Sequence, residues 1–174
     1  PYTTLFRSKY QCPLNAPKVT FNVTAVLAKN ALPGGLLVYN SRGAILQDPT
    51  AILYVRSSDL DASGKLKAGV PIEPLVLRAR AGDCITLNLK NNLPTGALPD
   101  LPGYNMLPSI IDRYTVASSA LRDTFNANDV HPSNRVGLRP QLVSYDTTRG
   151  AGNALGDNTD KTVPPGGSMT YYWY

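Results

Sequence analysis

The 174 residues are 43% apolar and 17% charged, the composition of a folded globular protein and not of a disordered tail. The length is that of one domain with enough chain to bury its own core. The net charge of +5 comes from lysines and arginines placed singly, with Arg78 and Arg80 the nearest approach to a patch, so the positive stripe that nucleic-acid binding needs is missing.

Pro1 to Ser8 reads as a translation of the end of a short-read sequencing adapter. It is set aside from fold reasoning, as an expression scar would be. Without Arg7 the charge is 5 − 1 = +4. Cys12 and Cys84 are the only cysteines. Two readings stand: a disulfide closing a loop of about seventy residues, worth roughly 4 kcal/mol, or two unpaired thiols with Cys84 buried in a strand. No Cys-x-x-Cys supports a zinc ribbon or a dithiol redox site.

The dominant period is two. Val19, Phe21, Val23, Ala25 and Leu27 alternate with Thr20, Asn22 and Thr24, predicting a half-buried strand. Asn22-Val23-Thr24 is a glycosylation sequon by pattern, but it falls inside that strand. Ala51 to Val55 predicts a second strand. Asp59, Asp61, Ser63 and Gly64 faintly resemble a calcium loop, yet no Glu follows at the required distance, so a solvated turn is the reading.

Pro74 to Leu77 leads into another strand, Gly82-Asp83 turns, and Ile85, Leu87 and Leu89 alternate with Thr86, Asn88 and Lys90. Val136 to Tyr145 predicts one or two short strands broken near Pro140, and Ser168 to Tyr174 a last strand rich in aromatics. Turn signals lie at Pro33 to Gly35, Asn40 to Gly43, Ser63-Gly64, Pro94 to Gly96 and Pro165 to Gly167. No stretch has helical periodicity beyond a single turn near Ser119 to Asp123, and no apolar run is long enough to span a membrane. Thr95 to Ser133 carries few strand signals and reads as an insertion across one end of the fold, of the kind that is functional or packed on a neighbour.

Three blocks carry a resemblance. The first runs from Pro74 to Pro94 as strand, Gly-Asp turn, strand, Asn-x-Leu. The second is Arg135 to Gln141. The third, Val163 to Tyr174, has a Pro-Gly-x-x-x-x-Tyr-like strand. Upstream, Tyr39-Asn40 to Gly43, Asp48-Pro49 and Tyr54-Val55 add to them. In this order the blocks resemble the cupredoxin domain of multicopper oxidases, in particular large bacterial oxidases related to ceruloplasmin and to manganese oxidases.

The resemblance implies an all-β, antiparallel Greek-key β-sandwich over residues 9–174, cut short of its last strand or two. It implies a secreted or periplasmic parent that takes electrons singly from a substrate such as Mn(II) or a phenol and reduces oxygen to water with copper. Its partners would be neighbouring cupredoxin domains of the same chain.

The same resemblance locates the copper ligands, and here they fail. Paired His-x-His strands work because residues i and i+2 share a face, yet Gly137 and Arg139 stand at those positions. Glycine has no ligand atom, and arginine has no lone pair to give. His131 is the only histidine and lies in a Pro-flanked loop. Cys84 is misplaced for a blue-copper cysteine, and Met106 and Met169 lack the His and Cys that give an axial Met meaning. No catalytic or metal-binding residue is therefore expected; the resemblance leaves two explanations, a non-binding structural domain or a domain whose other ligands follow Tyr174, and Gly137 and Arg139 favour the first. The rivals are a non-catalytic β-sandwich binding or adhesion module and a single-domain electron-transfer cupredoxin. No nucleophile elbow, phosphate loop or triad points elsewhere.

Overall fold

The alternating segment from Lys18 to Leu27 forms the longest strand, β1, and the others assemble around it. The structure is a computed structural model that describes residues 12–40, 46–96, 98, 110–111, 124–125, 133–145, 152–153 and 160–174. After β1 come a single helical turn, α1 (Ala28–Ala31), and strands β2 (Leu37–Asn40), β3 (Leu46–Asp48), β4 (Ile52–Arg56) and β5 (Cys84–Asn91). Two-residue strands β6 (Ile110–Ile111) and β7 (Thr124–Phe125) follow, and β8 (Ser168–Trp173) is the last. The described chain is therefore all-β apart from α1 and two short 3-10 turns.

The main sheet has four strands in the order β4-β1-β5-β8, with β2-β3 and β6-β7 as separate pairs. β1 pairs antiparallel to β4 and β5 antiparallel to β8, but β1 and β5 are parallel, with Phe21 opposite Leu87 and Val23 opposite Leu89. The expected purely antiparallel sheet is corrected to a mixed one. Period-two alternation reports which face is buried, not which way a neighbour runs. A parallel pair needs a long crossover, and residues 28–83 supply it.

One face of this sheet is the core. Val23, Ala25 and Leu27 of β1, Leu87 and Leu89 of β5, and Tyr171 of β8 are buried together. Their cover is mostly irregular chain: Leu75, Leu77, Leu93, Leu98, Val136, Leu138 and Val163. The opposite face holds a polar ladder across three strands. The Asn88 Nδ2 donates to Asn22 Oδ1 at 2.9 Å, and the Thr170 hydroxyl donates to Asn88 Oδ1 at 2.8 Å. Such cross-strand pairs fix register. A second cluster of Ala28, Leu32 and Ala51 packs with Leu37, Leu53 and Leu66.

Two predicted strands are not ladders. Pro74 to Leu77 joins no ladder, although Leu75 and Leu77 pack against the core and Val76 O accepts from the Arg56 guanidinium at 3.1 Å. Pro71 and Pro74 lack N–H donors, which makes a poor ladder. Val136 to Tyr145 makes only isolated bridges, Val136 to Val163 and Tyr145 to Trp173. Conversely, β2 and β3 flank the turn signal at Asn40 to Gly43, and no alternation marks them as strands in the sequence. The adapter-like residues 1–8, the single turn expected near Ser119, Met106 and His131 lie outside the described residues, as does most of the segment from Thr95 to Ser133.

Candidate functional site

The three resembling blocks meet at one corner of the core, where Asn91 stands. Asn91 ends β5 and is fully buried. Its side-chain Nδ2 donates to Asn134 O and to Val163 O, both at 2.8 Å, and its Oδ1 accepts from Leu93 N at 2.9 Å. Its backbone carbonyl accepts from Gly166 N at 2.8 Å, while its own N–H donates to Gly167 O at 3.0 Å. One amide side chain thus serves groups of the first and third blocks and of Asn134, the residue before the second; an apolar residue would orphan Leu93 N and Asn134 O. The Asn-x-Leu pattern has its physical reason here: the Asn turns the chain and Leu93 drops into the core.

Beside Asn91, Val136 and Val163 exchange backbone hydrogen bonds at 3.1 and 2.7 Å. That bridge sets the next residue, Gly137, against the backbone of Gly152. A Cβ built on Gly137 would lie 1.8 Å from Gly152 O, and one on Gly152 would lie 2.2 Å from Leu138 O. Gly152 also holds a φ of 61°, where side chains are rare. The two glycines let two chain segments touch, and any side chain at Gly137 would force them apart. The Tyr54 hydroxyl donates to Gly137 O at 3.0 Å and pins the same segment to β4.

Arg139 is exposed at the end of this segment. The residues at the expected His-x-His positions therefore do not fit a copper ion: one has no side chain and no room for it, and the other has no lone pair. Among the described residues no group of three or more His, Cys, Asp or Glu stands close enough to hold a metal. Met169 packs against the core from β8.

Cys12 and Cys84 form a disulfide with their Cα atoms 5.8 Å apart. It fastens the chain before β1 to the start of β5, next to a hydrogen bond from Cys84 N to Pro17 O at 2.7 Å. Bonded sulfur is not a thiolate, which removes Cys84 as a metal ligand.

Asp61 caps its own turn. Its Oδ1 accepts from Ser63 N, Ser63 Oγ and Lys65 N at 2.8, 2.7 and 3.0 Å. The Ser63 hydroxyl, then the Lys65 N–H, hold its carboxyl below the usual range. Asp160 is built alike: Thr162 donates through its hydroxyl and its N–H, Arg135 forms an ion pair, and the carboxyl is held low. Tyr171 donates from its buried hydroxyl to Lys161 O at 2.8 Å, and burial pushes its pKa up to about 12.

A hollow lies along β4. A cavity of about 850 Å³ opens beside Ile52 to Val55, walled by Leu37, Tyr39, Leu66, Ile72 and Leu75. A second, of about 500 Å³, continues along Tyr54 to Arg56 against Val70 to Val76. The sequence carries no signal for this trench, because it arises where the segment after Val70 runs beside a strand without joining it in a ladder.

The chain matches no protein-family model and no curated protein.

Proposed function

We propose that this chain is a cupredoxin-type β-sandwich domain of a multicopper oxidase, and that within such an enzyme it is a structural domain that carries no copper. The parent would be a secreted or periplasmic oxidase coupling one-electron oxidation of Mn(II) or a phenol to reduction of oxygen. Copper would supply that redox chemistry from neighbouring cupredoxin domains of the same chain.

The observation that carries the proposal is the contact of Gly137 with Gly152, at a corner where Asn91 and the Val136–Val163 bridge tie the three resembling blocks together. The strand where the resemblance expects two imidazoles is held against its neighbour by the absence of a side chain. A ligand set cannot occupy that space without rebuilding the corner. What the domain offers instead is a disulfide-stapled core and an exposed strand edge on which another domain can pack.

Metal analysis of the full chain, purified in oxidised form and dialysed against Cu(II) and against Cu(I), tests the ligation half of this reading. No stoichiometric copper is expected. One tightly held copper per chain would overturn it. The alternative, a non-catalytic binding or adhesion module, draws on the trench along β4 and predicts no oxidase sequence adjoining this one.

A further inference from the structure

We propose that the trench beside β4 is a docking site for an extended polypeptide segment of a partner, which adds as a strand to the open edge of β4. Among the described residues β4 is the terminal strand of its sheet and pairs with β1 alone. The hydrogen bond from Ala28 N to Ala51 O identifies Ala28 and Ala51 as a bonded pair in the β1–β4 register. Bonded and non-bonded pairs alternate in an antiparallel ladder. Leu53 and Val55 therefore direct their backbone groups at β1, and Ile52, Tyr54 and Arg56 direct theirs outward. Among the described residues no backbone hydrogen bond reaches that outward row.

Both cavities lie along this row, so unpaired donors and acceptors face a trench with apolar walls. An extended chain supplies backbone partners at the matching two-residue spacing, while its alternate side chains meet the apolar walls.

Charge sets the direction and the composition of the occupant. In a chain of net charge +5, the charged residues that line the larger cavity among the described residues are Asp48 and Glu73. The smaller cavity shares Glu73 and adds Arg56, Arg78 and Asp59 toward the end of β4, so Asp48 marks one end of the trench and the two arginines the other. Asp48 precedes the start of β4 and Arg56 ends it. A segment running antiparallel to β4 thus fits best with an acidic residue first, apolar residues at alternate positions, and a basic residue last. This inference does not depend on the copper reading, and either can fail without the other.

The probe is a fluorescein-labelled seven-residue peptide of alternating threonine and valine, begun by glutamate and ended by lysine. Anisotropy titration of the full chain is expected to give saturable binding, with slowed hydrogen exchange at the amides of Ile52, Tyr54 and Arg56. N-methylation of the peptide's ladder-facing amides should weaken binding at least about tenfold, the loss of two or three backbone hydrogen bonds. Exchanging the terminal charges should also weaken it.

Arg56 has a φ of −65°, which proline adopts, so Arg56→Pro removes an outward donor without bending the strand. Arg56→Pro should bind more weakly than Arg56→Ala while melting at the same temperature. Absence of binding, or equal binding of the N-methylated peptide, would overturn the proposal. So would concentration-dependent dimerisation that protects the same three amides without peptide, which would make a second copy the occupant.

Discussion

Gly137 decides most about what this chain can do, because it is defined by the space it does not take. A Cβ on Gly137 would stand only 1.8 Å from Gly152 O, so Gly137→Ala should destabilise the fold by about 3 kcal/mol, read by urea denaturation. Gly137→His should cost at least as much and restore no copper. A Gly137→Ala variant as stable as the parent would mean that the two glycines do not touch. Tyr171 makes a gentler test. Its hydroxyl is protonated across the physiological range and bonded to Lys161 O. Tyr171→Phe should cost about 1 kcal/mol, a fall in Tm of about 2–4 °C at this chain length. Asp61 and Asp160 carry the pH dependence. Both are held below their ordinary value of 3.8, so the stability they add is present above that value and fades as pH falls through the lower folded one. The stability gap between the parent and Asp61→Asn should therefore be present at pH 7 and shrink below pH 3.8. A gap independent of pH would contradict the role given to the Ser63 and Lys65 donors.

Among the elements, β5 and its terminal Asn91 join the most segments. Asn91→Ala should cost about 3 kcal/mol, because it leaves Leu93 N and Asn134 O without a partner and Val163 O with the Val136 N–H alone. Reduction of the Cys12–Cys84 disulfide should lower stability by about 4 kcal/mol in the chain-entropy account, measured by denaturation with and without reductant. The main-sheet strands β1, β4, β5 and β8 are legible in the sequence, because their apolar residues alternate or cluster between turn signals. The parallel pairing of β1 and β5 is not, since alternation carries no direction. Pro74 to Leu77 is legible as half-buried but not as outside any ladder, because its prolines weaken a ladder without disturbing alternation. Gly137 is legible as a missing ligand. Its contact with Gly152 is not, since nothing in local pattern links residues fifteen apart. Cys12 and Cys84 are legible as a pair with two outcomes, and only the 5.8 Å Cα separation distinguishes them.

At the scale of the whole molecule, one sheet with a buried face and a mostly irregular cover has an open edge at β4 among the described residues, while Ser144 and Tyr145 meet the end of β8 at the other edge. An exposed edge invites pairing with other chains, and a domain with such an edge and no metal-holding group among its described residues is suited to packing beside others. That is the sense of a structural domain in a larger oxidase. The central claim is membership in that oxidase, and the most direct test is to determine the source DNA on both sides of this reading frame. The expected result is a continuous frame that encodes His-x-His and His-Cys-His strands in adjoining cupredoxin-type domains. A frame that adjoins no such strands, or that continues into unrelated repeats, would contradict it and leave a β-sheet binding module in its place.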